Sequence, residues 1–323
     1  MAKAIEQLRS GLTVGHARLG DHGAGVGSPA QMVHDGDTVT VAALGNLGVR
    51  LLGVDAPEIS FRLPGSEAFT PIGGADWEAF LSSPLEARWG AFSTPLTSGL
   101  KAHIRARVGA GVATNHSRHA LNAQRAFEAE VLSDLGALGK TKEDFEFFIG
   151  FAFEVMDRYG RLLGYINRDQ VSSTKPTRRP LSYNERLLRL GLVTPYFIWP
   201  NVDPFRSKDS KEAAVIPPGK ARDEADRNPK LRNALAWVHQ AREDGVGLFS
   251  PALDGPLRLL PFELRFLAQR RAPDRWVIDL DSTSDVLIHP QRYYTIPKPE
   301  NRLFIPSEYK PLFEAAGWKA QKS

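Results

Sequence analysis

The stretch Val49-Arg-Leu-Leu-Gly-Val-Asp-Ala-Pro-Glu58 sets the terms for the rest of the chain. Val49 to Val54 is a β-prone run, and Asp55-Ala-Pro57 ends it, because proline has no N–H for a ladder. A straight strand rises about 3.3 Å per residue and would hold Arg50 and Asp55 roughly 16 Å apart at Cα. For both to serve one site the strand must coil or bulge, and Gly53 is where that is easiest. The plainer alternative is an edge-strand arginine buried against a carboxylate.

Working outward toward the N-terminus, residues 31–34 and 38–42 read as two further short strands around an Asp35-Gly36 turn, and Gly45-Asn46 turns the chain back into the Val49 run. Short β-rich runs separated by glycine turns predict a meander. Residues 1–28 are Gly-rich and weakly patterned, and predict a flexible arm. Toward the C-terminus, about 61–113 is a long proline-containing insertion whose aromatics (Phe69, Trp77, Phe80, Trp89, Phe92) argue for small elements of its own. Ala120, Ala123, Phe127, Val131 and Leu135 then share one helical face and predict a helix over about 115–138. Residues 145–156 and 161–166 flank Asp157-Arg-Tyr-Gly160 as a second hairpin. Ser182 with Glu185 is a capping box, with Gly191 placed as the C′ residue. Residues 203–227 read as a second, polar insertion. Asn228-Pro229 starts a third helix that ends near Gly245. The sequence 251–323 carries strand-like pieces at Trp276–Asp279 and Val286–Ile288 but no recognisable pattern, and stands as a C-terminal extension. The predicted class is α+β: a five-stranded, partly closed barrel of the oligonucleotide-binding (OB) type with three packed helices.

Composition narrows the chemistry. The chain has 323 residues, 42% hydrophobic and 24% charged, enough for a sizeable core. Forty-one Lys and Arg against 37 Asp and Glu give +4, compatible with a polyanionic partner without demonstrating one. With no cysteine, disulfides, thiolate zinc sites, iron–sulfur clusters and cysteine nucleophiles are excluded. No run reaches 18 apolar residues, so no membrane partner is expected. The first twenty residues lack the apolar stretch of a secretory signal, and the expected compartment is the cytoplasm.

Four constellations carry candidate chemistry. Asp35-Gly36-Asp37 places two carboxylates at one turn, where they can offer oxygens to a hard cation, or form an ordinary Asp-Gly hairpin turn. Arg50, Asp55 and Glu58 combine a guanidinium and two acids. Arg158 and Arg161 bracket a turn with Tyr159, suited to gripping phosphate and stacking on a base, or to a solvated turn. Tyr196, Phe197 and Trp199 offer either a stacking surface or core. Residues 88–127 also include Arg105 and Arg107 among six cationic residues with no acid. They make either a solvated basic surface or an extension of a phosphate-binding groove.

Taken together, Asp35–Thr38, Val49–Glu58, Asp157–Ile166, Asn184-Glu185 leading to Leu190-Gly-Leu192, and Tyr196 with Pro200-Asn201 resemble the staphylococcal nuclease (thermonuclease) family. The resemblance runs from about Met32 to Pro251, interrupted by the two insertions. It implies a Ca²⁺-dependent nuclease acting on DNA and/or RNA, leaving 3′-phosphates. By the same resemblance, Asp37, Asp55 and the Ala56 carbonyl look like the Ca²⁺ ligands, with Asp35 supporting. Glu58 looks like the activator of the attacking water, and Arg50 and Arg161 like the phosphate grips. Arg158, Tyr159 and Tyr196 look like nucleotide-binding residues. Ile198 departs from the family, standing where a second nucleotide-side tyrosine can occur. The alternatives are a non-catalytic nucleic-acid or protein-binding module, or a nuclease whose specificity resides in the insertion or the C-terminal region. A regulatory partner docked on 251–323 is a further expectation.

Overall fold

Leu52 and Gly53 break the 49–55 run into two short strands, β1 (Val49–Leu51) and β2 (Gly53–Asp55). Gly53 sits at φ +74°, a conformation that L side chains rarely adopt, and a Cβ there would lie 2.9 Å from the Tyr165 hydroxyl. The bend sends the two halves into different sheets. Behind them the chain continues through α1 (Val112–Leu138), the hairpin β3 (Phe147–Met156) and β4 (Leu162–Arg168), α2 (Tyr183–Arg189) and β5 (Thr194–Ile198). It ends with α3 (Pro229–Glu243), α4 (Pro261–Gln269), β6 (Trp276–Asp279) and β7 (Arg302–Ile305). The computed structural model describes residues 3–8, 10, 13–33, 38–170, 178–202, 210–252 and 254–322.

Strand β1 pairs parallel with β4, and β4 antiparallel with β3, giving a three-stranded sheet. Strand β2 pairs antiparallel with β5, whose other edge takes β7 in parallel and then β6. Asn184, fully buried on α2, ties the bend in place. Its amide donates to the Leu52 carbonyl at 2.9 Å and the Gly164 carbonyl at 3.2 Å, and its oxygen accepts from Ile166 N–H at 3.0 Å.

The four-stranded sheet is buried on both faces. Phe197, Ile278, Leu303 and Ile305 join one core with Leu187 and Leu188 of α2 and Leu231 and Val238 of α3. Their neighbours Tyr196, Val277 and Phe304 point the other way, into a second core with Trp77, Phe80, Leu100, Ile104 and Leu264. Strict alternation along each strand serves two cores rather than a core and solvent.

Several expectations change accordingly. The class is mixed α+β, but among the described residues the strands pair as separate sheets and do not close into a barrel. Residues 251–323, expected as an extension, supply β6 and β7 to the central sheet and α4 to the second core. Residues 61–113 fold into strands Ser60–Arg62 and Phe69–Pro71 and helices Ala75–Ser82 and Ser98–Arg105; Trp77 and Phe80 are core residues, Trp89 and Phe92 pack against that core, and Phe69 is exposed. The described part of 203–227 forms helices Lys211–Ala214 and Ala221–Arg227 instead of a loop. Of the strand expected at 31–34, Gln31 and Met32 instead end a helical turn, Pro29–Met32, where Gln31 caps the Ser28 N–H at 2.8 Å and Met32 is buried. Val33 bridges Val39 antiparallel, and residue 34 lies outside the described residues. The described residues of the expected flexible arm pair as short strands, Ile5–Gln7 with Thr13–Gly15, Asp21–His22 with Gly25–Val26, and Ala17–Leu19 with the distant Val41–Ala43. The helices around 115–138, 183–189 and 229–243 form with the expected caps at Ser182 and Asn228. No helix among the described residues is long and apolar enough to cross a membrane.

Substituting Gly53 by alanine combines a positive φ with a clash on Tyr165. The expected loss is about 1–3 kcal/mol, read as a lower urea midpoint with an unchanged slope. An unaltered midpoint would show that the bend does not hold the two sheets in register.

Candidate functional site

Asp55 ends β2, held there by the Thr194 hydroxyl, which donates to its carbonyl at 2.9 Å. The bend at Gly53 brings the Arg50 side chain back onto it: Arg50 Nη2 lies 2.8 Å from Asp55 Oδ1. The second partner is Arg265, from α4. Its Nη1 donates to Asp55 Oδ1 at 2.9 Å and its Nη2 to Oδ2 at 2.7 Å, a bidentate fork. The same Nη1 reaches Glu58 Oε1 at 2.7 Å. Asp55 is 1% exposed, Arg265 18%, Glu58 23% and Arg50 31%, so the cluster opens from a sealed acid toward solvent.

The electrostatics follow from that gradient. Burial pushes the Asp55 carboxyl up, but the Arg265 and Arg50 guanidiniums outweigh it and hold the group below its ordinary value. Burial works against the Arg265 charge, and the Asp55 and Glu58 carboxylates more than restore it. Beneath Glu58, His116 of α1 is fully buried, and its Nε2 accepts the Glu58 backbone N–H at 2.9 Å. Burial pushes the His116 imidazole down to about 3, aided by the nearby His119 and Arg265. A neutral ring with its proton on Nδ1 therefore fixes the position of the Glu58 backbone.

Arg161 stands apart from this cluster. Its Nε and Nη2 bind Asp157 Oδ2 at 2.8 and 2.7 Å, and its stem lies against Gly48. The register of Leu163 with Arg50 in the parallel pair puts Arg161 just before the start of β4, two residues back from the partner of Arg50. Arg158 donates to the Tyr159 hydroxyl at 2.6 Å, and the guanidiniums of Arg158 and Arg161 lie 4.8 and 5.4 Å from the Tyr159 ring centre. Tyr159 is exposed, so this turn presents two cations and an aromatic face to solvent.

Other predicted members lie elsewhere. Tyr196, expected to bind nucleotide, is 7% exposed, stacks on Phe262 at 5.6 Å and accepts a hydrogen bond from Arg275. It is a core residue because β5 is covered on both faces. Arg105 is exposed at the end of helix Ser98–Arg105, which packs on the Pro290–Thr295 turn. Arg107 donates to the His103 carbonyl at 3.1 Å and stands near the buried Tyr293 and Arg302, which turns it inward rather than along a groove. Ala56 is exposed. Asp35 and Asp37 lie outside the described residues.

The described donors do not fit a Ca²⁺ ion. Both Asp55 oxygens are bound by guanidiniums within 2.9 Å, and the same Arg265 also holds the Glu58 carboxylate. Two arginines against two carboxylates leave the cluster formally neutral, with no net charge to recruit a divalent cation. Among the described residues no group of three or more His, Cys, Asp or Glu side chains could hold a metal. Arg265 is the member that sequence reasoning missed. Pro261 at N1 and Glu263 at N3 marked the start of its helix, but nothing local pointed to a partner 210 residues away. Comparison with family models, with curated proteins and with solved structures found no match.

His116 makes acid stability a test of this arrangement. The folded state keeps the imidazole neutral to about pH 3, whereas the unfolded group takes a proton below its ordinary value of 6.5. Stability is therefore full above 6.5 and falls toward pH 3, at most by about 1.4 kcal/mol per unit for this one proton. Asp55, with its lowered value, adds a loss only below 3.8. His116→Gln keeps an acceptor for Glu58 N–H but cannot titrate. Urea titrations from pH 7 to 4 should show a shallower decline in this variant than in wild type, and parallel curves would remove the role given to His116.

Proposed function

We propose that the chain hydrolyses phosphodiester bonds of DNA and/or RNA where Arg50 and Glu58 reach solvent, with Arg161 contributed from the separate 157–161 turn. The observation that carries this reading is the gathering of Arg50, Asp55 and Glu58 into one hydrogen-bonded cluster that opens to solvent at Arg50 and Glu58. Hydrolysis needs an activated water and stabilisation of charge on the non-bridging oxygens. In the proposal Glu58 accepts the water proton, with Arg265 fixing its Oε1. Arg50 and Arg161 hold the phosphate, and Arg158 with Tyr159 holds the adjoining nucleotide. The bent β1–β2 segment, shared between two sheets, supports reading the scaffold as an opened form of the OB-type barrel, since barrel corners are turned by such bends.

A second reading, a nucleic-acid-binding module without catalysis, is favoured by one feature. Asp55 is wholly committed to two guanidiniums, as in a structural ion pair. Incubating wild type and Glu58→Gln with plasmid, single-stranded DNA and RNA separates the two. The hydrolytic reading expects degradation by wild type and a loss of about 10²-fold or more in Glu58→Gln, with nucleic-acid affinity retained. Arg50→Lys should be nearly as damaging as Arg50→Ala, because the planar fork serves Asp55 and phosphate together. Retention of binding with no cleavage in wild type would leave the module.

A further inference from the structure

We infer that Arg265 is the resident cation of the Asp55–Glu58 pair, so that this centre works without a divalent ion. The inference rests on reading the pocket as the phosphodiester site, and it replaces the Ca²⁺ that the sequence resemblance implied there.

Three observations carry it. The guanidinium bridges both acids, with one nitrogen on Asp55 Oδ1 and Glu58 Oε1 and another on Asp55 Oδ2, all within 2.9 Å. A cation is thus already bound to both oxygens of Asp55, the one described carboxylate that the resemblance made a Ca²⁺ ligand. Arg265 also cannot swing aside easily. Its helix is fixed by Leu264 and Leu267, both 0% exposed, and by Glu263, whose carboxylate accepts from Tyr293 at 2.6 Å and Leu260 N–H at 2.9 Å. The segment leading into that helix is tied to α1, where the Asn115 amide donates to the Gly255 carbonyl at 3.1 Å and Asn115 Oδ1 accepts from Arg258 N–H at 3.2 Å. Finally, Asp55 is 1% exposed, and water that would hydrate an entering ion has no access to it.

The consequence for the site is a change in what its acids do. Asp55 orients two guanidiniums, Arg50 and Arg265, and Glu58 is held by a donor that cannot be lost at any working pH. Positive charge near a bound phosphate then comes from arginines fixed by the fold rather than from an exchangeable ion.

The test is calorimetric titration of the full chain with CaCl₂, beside Asp55→Asn and Glu58→Gln, carried to the millimolar range of the weakest natural Ca²⁺ sites. Glu58→Gln, at the solvent side, keeps the test open if Asp55→Asn fails to fold. The expected result is no saturable heat in wild type, or a heat that the variants leave unchanged, which places the ion elsewhere. A one-site isotherm in wild type that either variant weakens tenfold or more would overturn the inference. A parallel cleavage assay in chelator keeps this failure apart from that of the nuclease reading. Chelator-sensitive cleavage with Asp55-dependent Ca²⁺ binding would sink only the resident-cation assignment. No cleavage under any condition, with no Ca²⁺ heat, would sink only the hydrolytic one.

Discussion

Asp55 and Arg265 meet as a buried two-point ion pair that joins the Val49–Glu58 segment to a helix 210 residues further on. A carboxylate that is 1% exposed cannot stay ionised alone, since the effective penalty for burying an unpaired ion is several kcal/mol. Two guanidiniums meet that demand, Arg50 from the strand just before the Gly53 bend and Arg265 from a helix in the last quarter of the chain. Removing Arg265 leaves the buried Asp55 short of its two-point partner, a change of the kind that typically costs about 3–5 kcal/mol. The Val49–Glu58 motif and the segment around α4 therefore form one structural unit.

That unit depends on a bend that only a few residues can make. Gly53 at positive φ turns β1 into β2, Asn184 satisfies the carbonyls exposed at the turn, and Thr194 holds the Asp55 backbone. Had the segment run straight, Arg50 and Asp55 would face different surroundings, and β2 could not pair with β5. The parallel strand β7 then seals the other edge of β5, so the sheet is apolar on both faces and Tyr196 is drawn inward. One backbone torsion thus links the ion pair to the choice of which aromatic residues become core.

Local signals survive in the sequence where a few neighbouring residues decide the outcome. Ser182 with Glu185 and Asn228 with Pro229 start helices because their side chains satisfy nearby N–H groups whatever the rest of the chain does. Distance makes a bend at Gly53 the condition for Arg50 and Asp55 to meet, and the fold supplies that bend. What was not legible lies in contacts over long separations. Trp276–Asp279 reads as strand-like but its partner does not: residues 302–305 are buried throughout and lack the polar alternation that marks a strand against solvent. The aromatics of 61–113 signalled order but not their destination, the far face of the central sheet. Arg265 reads as one more charge on a helix, and only the fold shows that it faces two acids.

The charge arrangement carries a final implication for the proposed chemistry. Acids here precede arginines in function: Asp55 fixes Arg50 and Arg265, and Asp157 fixes Arg161 through two nitrogens and its own turn through the backbone N–H groups of Tyr159 and Arg161. A guanidinium held in this way has lost its rotamer freedom before any ligand arrives, yet retains further N–H donors, since each arginine carries five. A phosphate entering the pocket would not have to order those side chains. Donors aimed in advance at the place where charge develops are worth more than the same donors free in water. Formal neutrality of the cluster is therefore compatible with strong stabilisation of an anion, because what matters is the fixed direction of the N–H groups and not the sum of the charges.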